Sequence, residues 1–151
     1  MRTIEREIKN ATRIAQAIPG MFREEECEFL YRFARRPGNI VKIGCYQGRT
    51  SAILSLAART CKANVTSIDP FVVVDGLDRI GSSSLKIWEE NLKKHRITPP
   101  TLLHCTSAEA VRNWDKPIAL LFVDGSHQYG NVLEDLNLWT PFIEIDGILV
   151  I

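Results

Sequence analysis

The spacing of apolar positions changes several times along the chain, and each change marks an element. Over residues 1–18, Ile4, Ile8, Ala11, Ala15 and Ile18 share one helical stripe, with Arg2, Glu5, Arg6, Lys9 and Arg13 elsewhere. Pro19-Gly20 ends that helix. A second helix is predicted from about Met21 to Arg35, with Phe22, Phe29, Leu30 and Phe33 as its apolar face. Its acidic run Glu24-Glu25-Glu26 comes first and Arg35-Arg36 last, the order a helix dipole favours. Apolar runs at 40–44, 64–68, 101–104, 118–123 and 147–151 then alternate with helical patterns at about 50–59, 83–95, 107–113 and 130–139. Such alternation implies right-handed βαβ units: an α/β fold with a mainly parallel, doubly wound sheet. Ile118 to Val123 is apolar on both alternate sets, as a central buried strand should be.

Within the helices, Leu85, Trp88 and Leu92 form a stripe, preceded by cap candidates Ser82, Ser83 and Ser84. Thr106-Ser107-Ala108-Glu109 reads as a capping box. Leu133, Leu136 and Trp139, with Val132 close by, are expected to face the sheet. Trp88, Trp114 and Trp139 are expected in the core. No internal repeat or linker interrupts the pattern, so residues 1–151 read as one domain, with 1–36 a helical segment packed on it. The longest irregular piece, Pro70 to Gly81, follows the second strand, at the carboxyl edge where open α/β sheets bind ligands. The chain ends in a strand, Ile148 to Ile151, so further C-terminal strands are expected to be missing.

Composition adds limits. A chain of 151 residues can bury a real core, and 45% hydrophobic with 25% charged residues is ordinary for a soluble protein. A net charge of +1 makes no case for nucleic acid or an anionic membrane. No apolar run approaches the roughly 20 residues that span a bilayer, and the charged N-terminus is no secretory signal. Cys27, Cys45, Cys61 and Cys105 lack metal-ligand spacing and read as reduced thiols of a cytoplasmic protein. His95 and His104 are assigned no chemistry: one ends a helix, the other a strand.

Three stretches carry candidate chemistry. In the first, Ile40 to Thr50, an apolar run passes through Gly44 and Gly48 into a helix, the arrangement of a nucleotide-type loop. A dinucleotide loop wants G-x-G-x-x-G, and here Tyr46 stands where its middle glycine would be and crowds a diphosphate. A nucleoside ligand without a pyrophosphate fits better, and S-adenosylmethionine is one. In the second, Asp69 closes a strand 21 positions after Gly48, where a carboxylate accepts from ribose hydroxyls; its rival role is starting the Asp69-Pro70 turn. In the third, Asp124-Gly125-Ser126-His127 follows the strongest strand. A carboxylate and an imidazole there can orient and deprotonate a hydroxyl, although a plain DG turn with a surface histidine has the same sequence.

Together the stretches IVKIGCYQGRTS, VTSIDPF and LLFVDGSHQYGNVLEDLNLWTPFIEIDGILVI resemble the class I S-adenosylmethionine-dependent methyltransferases. The nearest group is that of the small-molecule O-methyltransferases, which includes macrocin O-methyltransferase and the cephalosporin-hydroxylase-like proteins (methyltransferase family 24-like). The resemblance implies a Rossmann-like sheet of order 3-2-1-4-5. It also implies that Gly44, Cys45, Tyr46, Gly48, Thr50 and Ser51 form the loop around the methionine portion of the cofactor. Asp69 would hold the ribose, Pro70 and Phe71 would flank the adenine, and Ser107 and Ala108 would lie at its edge. Asp124 would face the transferred methyl, with His127 as the base. Some relatives hold a divalent metal, Mg2+ for example, between acids ending the fourth and fifth strands; Asp124 is the one such candidate here. Two residues depart from the family pattern: Lys42 stands where an acid commonly anchors the cofactor's ammonium, and Asp146 replaces the first glycine of a GG turn.

The expected partner is a small-molecule substrate, with nucleic acid and membrane not expected and a homo-oligomer compatible. Two other functions suit the same fold. One is a non-catalytic or degenerate methyltransferase-like binding domain, which Lys42 favours. The other is an NAD(P)-dependent oxidoreductase, which Tyr46 and the G-x-x-x-G spacing disfavour.

Overall fold

A computed structural model describes residues 2–71 and 82–151. Two helices, α1 (Arg2–Gln16) and α2 (Glu24–Ala34), precede β1 (Gly38–Ile43), α3 (Arg49–Ala58), β2 (Ala63–Ile68), α4 (Ser82–Lys94) and β3 (Thr101–Leu103). Then come α5 (Ser107–Ala110), which continues as a 3-10 turn, β4 (Ile118–Val123), α6 (Tyr129–Trp139) and β5 (Ile143–Val150). The strands form one parallel sheet of order β3-β2-β1-β4-β5, as the resemblance implied. Most of the loop expected after β2, from Val72 to Gly81, and the cap role expected of Ser82, Ser83 and Ser84 lie outside what is described.

Strand alternation divides the core in two. Ile40, Leu120 and Phe122 meet Ile8, Leu30, Ile53 and Trp88 on the face covered by α1 to α4. Val41, Ile43, Leu121 and Val123 meet Ala110 and Trp139 on the other face. All six residues of β4 are buried, as expected of a central strand. Arg49, the first residue of α3, reaches back to the preface: its Nε donates to the Ile18 carbonyl at 2.8 Å, and its Nη1 to the Phe22 carbonyl. In α5, Thr106 and Glu109 form the expected capping box, with Thr106 N–H donating to Glu109 Oε2 at 2.9 Å and Glu109 N–H to Thr106 Oγ1 at 3.2 Å.

Three expectations need correction. The buried face of α2 is Cys27, Leu30, Tyr31 and Ala34, a true i, i+3, i+4, i+7 stripe. Phe29 falls off that stripe, is 56% exposed, and packs edge-on against Phe33. On α6 the stripe contains Asp135 and Trp139 as its buried members, and Leu133 is exposed. Finally, β5 starts at Ile143, four residues earlier than the apolar run suggests, and its register on β4 shifts between Ile118 and Leu120. Asp146 sits inside that irregularity with φ 64°, a left-handed conformation that aspartate tolerates better than most residues. The replacement of a glycine there is therefore mild.

Candidate functional site

The parallel strand order brings the ends of β1, β2 and β4 together, and with them Gly44, Asp69 and Asp124. Ile68 O accepts from Gly44 N–H at 2.9 Å, and Ile43 O accepts from Asp124 N–H at 2.8 Å. Gly44 has φ 88°, and a Cβ added to it would lie 2.2 Å from the Asp124 carbonyl oxygen. No side chain fits, so glycine is needed here to join the ends of β1 and β4.

Residues 45–48 form the loop proper. Cys45 N–H donates to Asp69 Oδ2 at 2.6 Å, and Phe71 N–H donates to Asp69 Oδ1 at 2.7 Å. Asp69 is thus both the turn starter and the tie between two loops, and hydrogen bonds to a charged acceptor contribute about 1.5–3 kcal/mol each. Each of its oxygens keeps a further lone pair. Tyr46 has φ 47° and an exposed side chain. Gly48 caps α3 with φ 104° and no side-chain cap, and the first turn of α3 carries no acid. Its first N–H groups therefore have no side-chain acceptor among the described residues, and a helix start of that kind favours an anion.

Helix α4 holds this loop from outside. Asn91 Nδ2 donates to the Gln47 carbonyl at 2.9 Å, and Trp88 Nε1 donates to Ser51 Oγ at 3.0 Å. Trp88 Cδ1 lies 3.2 Å from where a Gly48 Cβ would be. Trp88 and Asn91 were missed as site residues, because a contact 37 or 44 positions away leaves no local signal. The same bond turns Ser51 into a core residue, 0% exposed, that presents no hydroxyl to a ligand. Cys45 is buried too, and burial pushes its thiol up to about 11. What it offers the site is its backbone N–H.

The remaining candidates divide likewise. Phe71 is buried against Trp88 and His104, at centroid distances of 6.2 and 5.6 Å, so its ring belongs to the core. His104, given no role from sequence, reaches the Pro70 carbonyl with Nε2 at 3.1 Å and braces that turn. Ser107 donates its hydroxyl to Asp135, and Ala108 beside it is half-buried. Burial raises the Asp135 carboxyl above its ordinary range, against the Ser107 hydrogen bond. Asp135 Oδ2 also lies 3.9 Å from where a Cβ on Gly125 would be, so it supports the turn that carries Asp124. Burial raises Asp124 as well, with Lys42, His127 and the Thr50 hydroxyl acting the other way. His127 is exposed on the same loop. Among the described residues, no three His, Cys, Asp or Glu side chains could together hold a metal ion. Asp124 alone does not make a metal site.

Lys42 is the unusual residue. It is 0% exposed in mid-strand, and its Nζ has no hydrogen-bond partner among the described residues. Its Nζ lies over the Phe122 ring, 5.9 Å from the centroid.

A groove of about 590 Å³ lies between α4 and the β3 edge, lined by Trp88, Arg96, Ile97 and Leu102 among others. Apart from Trp88 it shares no residue with the edge described above. None of the helices described is long and apolar enough to cross a membrane.

The sequence matches a family described as a methyltransferase domain over residues 41–151. It is 27% identical over 124 residues to an uncharacterised protein of Acanthamoeba polyphaga mimivirus, covering 73% of this chain and 48% of the other. The chain thus spans about half the length of that relative. Among solved structures it is similar to an SAH-bound methyltransferase of Podospora anserina (TM-score 0.66, 16% identity, covering 95% of this chain and 60% of that one). It is also similar to an O-methyltransferase of Bacillus cereus in complex with SAH (TM-score 0.65, 13% identity, 95% and 64%). A precorrin 8W decarboxylase of Methanobacterium thermoautotrophicum matches with TM-score 0.65 and 20% identity over 89% of this chain and 64% of that one. At such identities the structural likeness speaks for the fold.

Proposed function

The chain belongs to the methyltransferase domain family matched over residues 41–151, and from that premise we propose that it transfers a methyl group from S-adenosylmethionine to a hydroxyl of a small molecule. One observation carries this reading most: Asp69, tied to Cys45 N–H at 2.6 Å, stands beside the uncapped start of α3. An acceptor for ribose hydroxyls and donors for a carboxylate, with Tyr46 in place of a pyrophosphate cradle, suit adenosylmethionine better than NAD. Bound S-adenosylmethionine would supply a methyl already activated by its sulfonium.

That leaves the chain alignment and one proton. Asp69 would hold the ribose through its free lone pairs, while Gly48 and the α3 N-terminus would take the carboxylate end. Pro70, Ser107 and Ala108 would border the adenine side. Alignment of reactants can supply up to roughly 7–11 kcal/mol. Asp124 would orient the substrate hydroxyl, and a ring nitrogen of His127 would accept its proton. The binding-only alternative keeps one observation in its favour, the buried Lys42.

Calorimetric titration with S-adenosylhomocysteine and with NAD tests the reading. Binding of the first and not the second is expected; the reverse would overturn it. Binding with no methyl transfer to any hydroxyl-bearing acceptor would favour the alternative.

A further inference from the structure

Lys42 and Ser67 are register neighbours across β1 and β2, so their side chains leave the sheet on the same face. Both are 0% exposed, and both Nζ and the Ser67 hydroxyl oxygen lack hydrogen-bond partners among the described residues. The face is that of α3, since Ile40, two residues back, packs there with Ala52 and Ile53. Beneath the glycine loop, then, lies the Lys42 ammonium, hydrogen-bonded to no group among the described residues and facing Asp124 only through space, and above it opens a ten-residue helix with no acid in its first turn. Both features are positive, and inside the protein neither is strongly screened, so the field extends several ångströms into the site.

We propose that Lys42 sets the charge preference of the ligand site: it favours an anionic group over the glycine loop and disfavours an ammonium there. This rests on the cofactor reading above and deepens it. The amino-acid end of the ligand would be held by its carboxylate alone, and its amine would contribute nothing or oppose binding. Asp124 is the competing counter-ion. If Lys42 served only to neutralise Asp124, no preference among ligands would result.

The test is calorimetric titration of the chain with three probes. These are 5′-methylthioadenosine, S-adenosylhomocysteine, and deaminated S-adenosylhomocysteine, which keeps the carboxylate and lacks the amine. The deaminated probe is expected to bind at least as tightly as S-adenosylhomocysteine. Lys42→Met is expected to shift the ratio of the two affinities by about tenfold or more toward the aminated ligand, whereas a merely structural defect would weaken both alike. A wild-type preference of about tenfold or more for the aminated ligand overturns the proposal, and this comparison needs no variant to fold. So does an unchanged ratio in Lys42→Met. If 5′-methylthioadenosine binds and the carboxylate probes bind no tighter, the Lys42 proposal falls and the nucleoside site stands. If none of the three binds, the cofactor reading falls and the proposal with it.

Discussion

The two loops that meet at the carboxyl edge are built differently. Residues 44–48 are held from three sides: by Asp69 below β2, by Trp88 and Asn91 of α4, and by the backbone of Asp124 packed against Gly44. Residues 125–128 have few ties. Ser126 Oγ accepts from Gln128 N–H and Asn131 Nδ2 nearby, and His127 and Gln128 are exposed. The half of the site assigned to the cofactor is therefore preformed, while the half assigned to the substrate is open. A preformed loop loses little entropy on binding, and an open one can change its acceptor without disturbing the fold.

The contrast can be broken by substitution. The largest effect is expected on the open side: His127→Ala should lower methyl-transfer turnover by about 10²–10⁴-fold and leave S-adenosylhomocysteine affinity within about twofold, as the proposal gives His127 a role toward the substrate alone. Steady-state rates and calorimetry on one preparation would check both, and a large loss of affinity would erase the division. On the clamped side, Gly44→Ala should destabilise the fold by about 3 kcal/mol or more, since a backbone clash at positive φ cannot relax cheaply. Urea unfolding measures it, and a change under about 1 kcal/mol would mean that the two loops are not locked together. Trp88→Phe keeps most of the packing and removes one buried donor. A loss of about 1–2 kcal/mol in stability is expected, together with weaker nucleoside binding as the loop loosens.

The smallest effect concerns pH. Burial raises the Asp135 carboxyl in the folded state, so folding favours its protonated form. The contribution is fully present below the ordinary carboxylate pKa and is lost as pH rises through the raised one. Asp135→Asn should therefore equal or exceed the wild type in stability at neutral pH. That difference should shrink on acidification, as thermal unfolding across pH 3–7 would reveal. A variant less stable at neutral pH would show that the charge itself is needed beside Ser107.

Sequence made the sheet legible because its strands are short apolar runs separated by helical periods, and β4 is apolar on both faces. It also made legible that Gly44, Asp69 and Asp124 share one edge, because each stands at the end of a strand. It misjudged α2, where large rings draw attention although the helical angle buries Cys27 and Tyr31 instead. The start of β5 was hidden because Glu144 to Gly147 has the composition of a loop, and a left-handed Asp146 inside a strand has no periodic signature. Asp135 was passed over as a site residue for a related reason: a carboxylate on an amphipathic helix is usually solvated, and only the Ser107 contact explains its burial. The resemblance placed Ser51 and Cys45 in the glycine loop and Phe71 against the adenine by position, and position does not tell which way a side chain turns.

Two hydrogen bonds of Arg49 tie the helical preface to the sheet unit. The family match starts at residue 41, yet the guanidinium of Arg49 is satisfied by the carbonyls of Ile18 and Phe22. The stretch covered by the family match is thus smaller than the stretch that closes its own hydrogen bonds. A chain trimmed to the shared part would expose the apolar inner faces of Ile8, Ala15 and Leu30's partners and leave a cation unsatisfied at the head of α3. The boundary drawn by the family match and the boundary drawn by physics differ by more than twenty residues, and for excision or grafting the physical one is the safer cut.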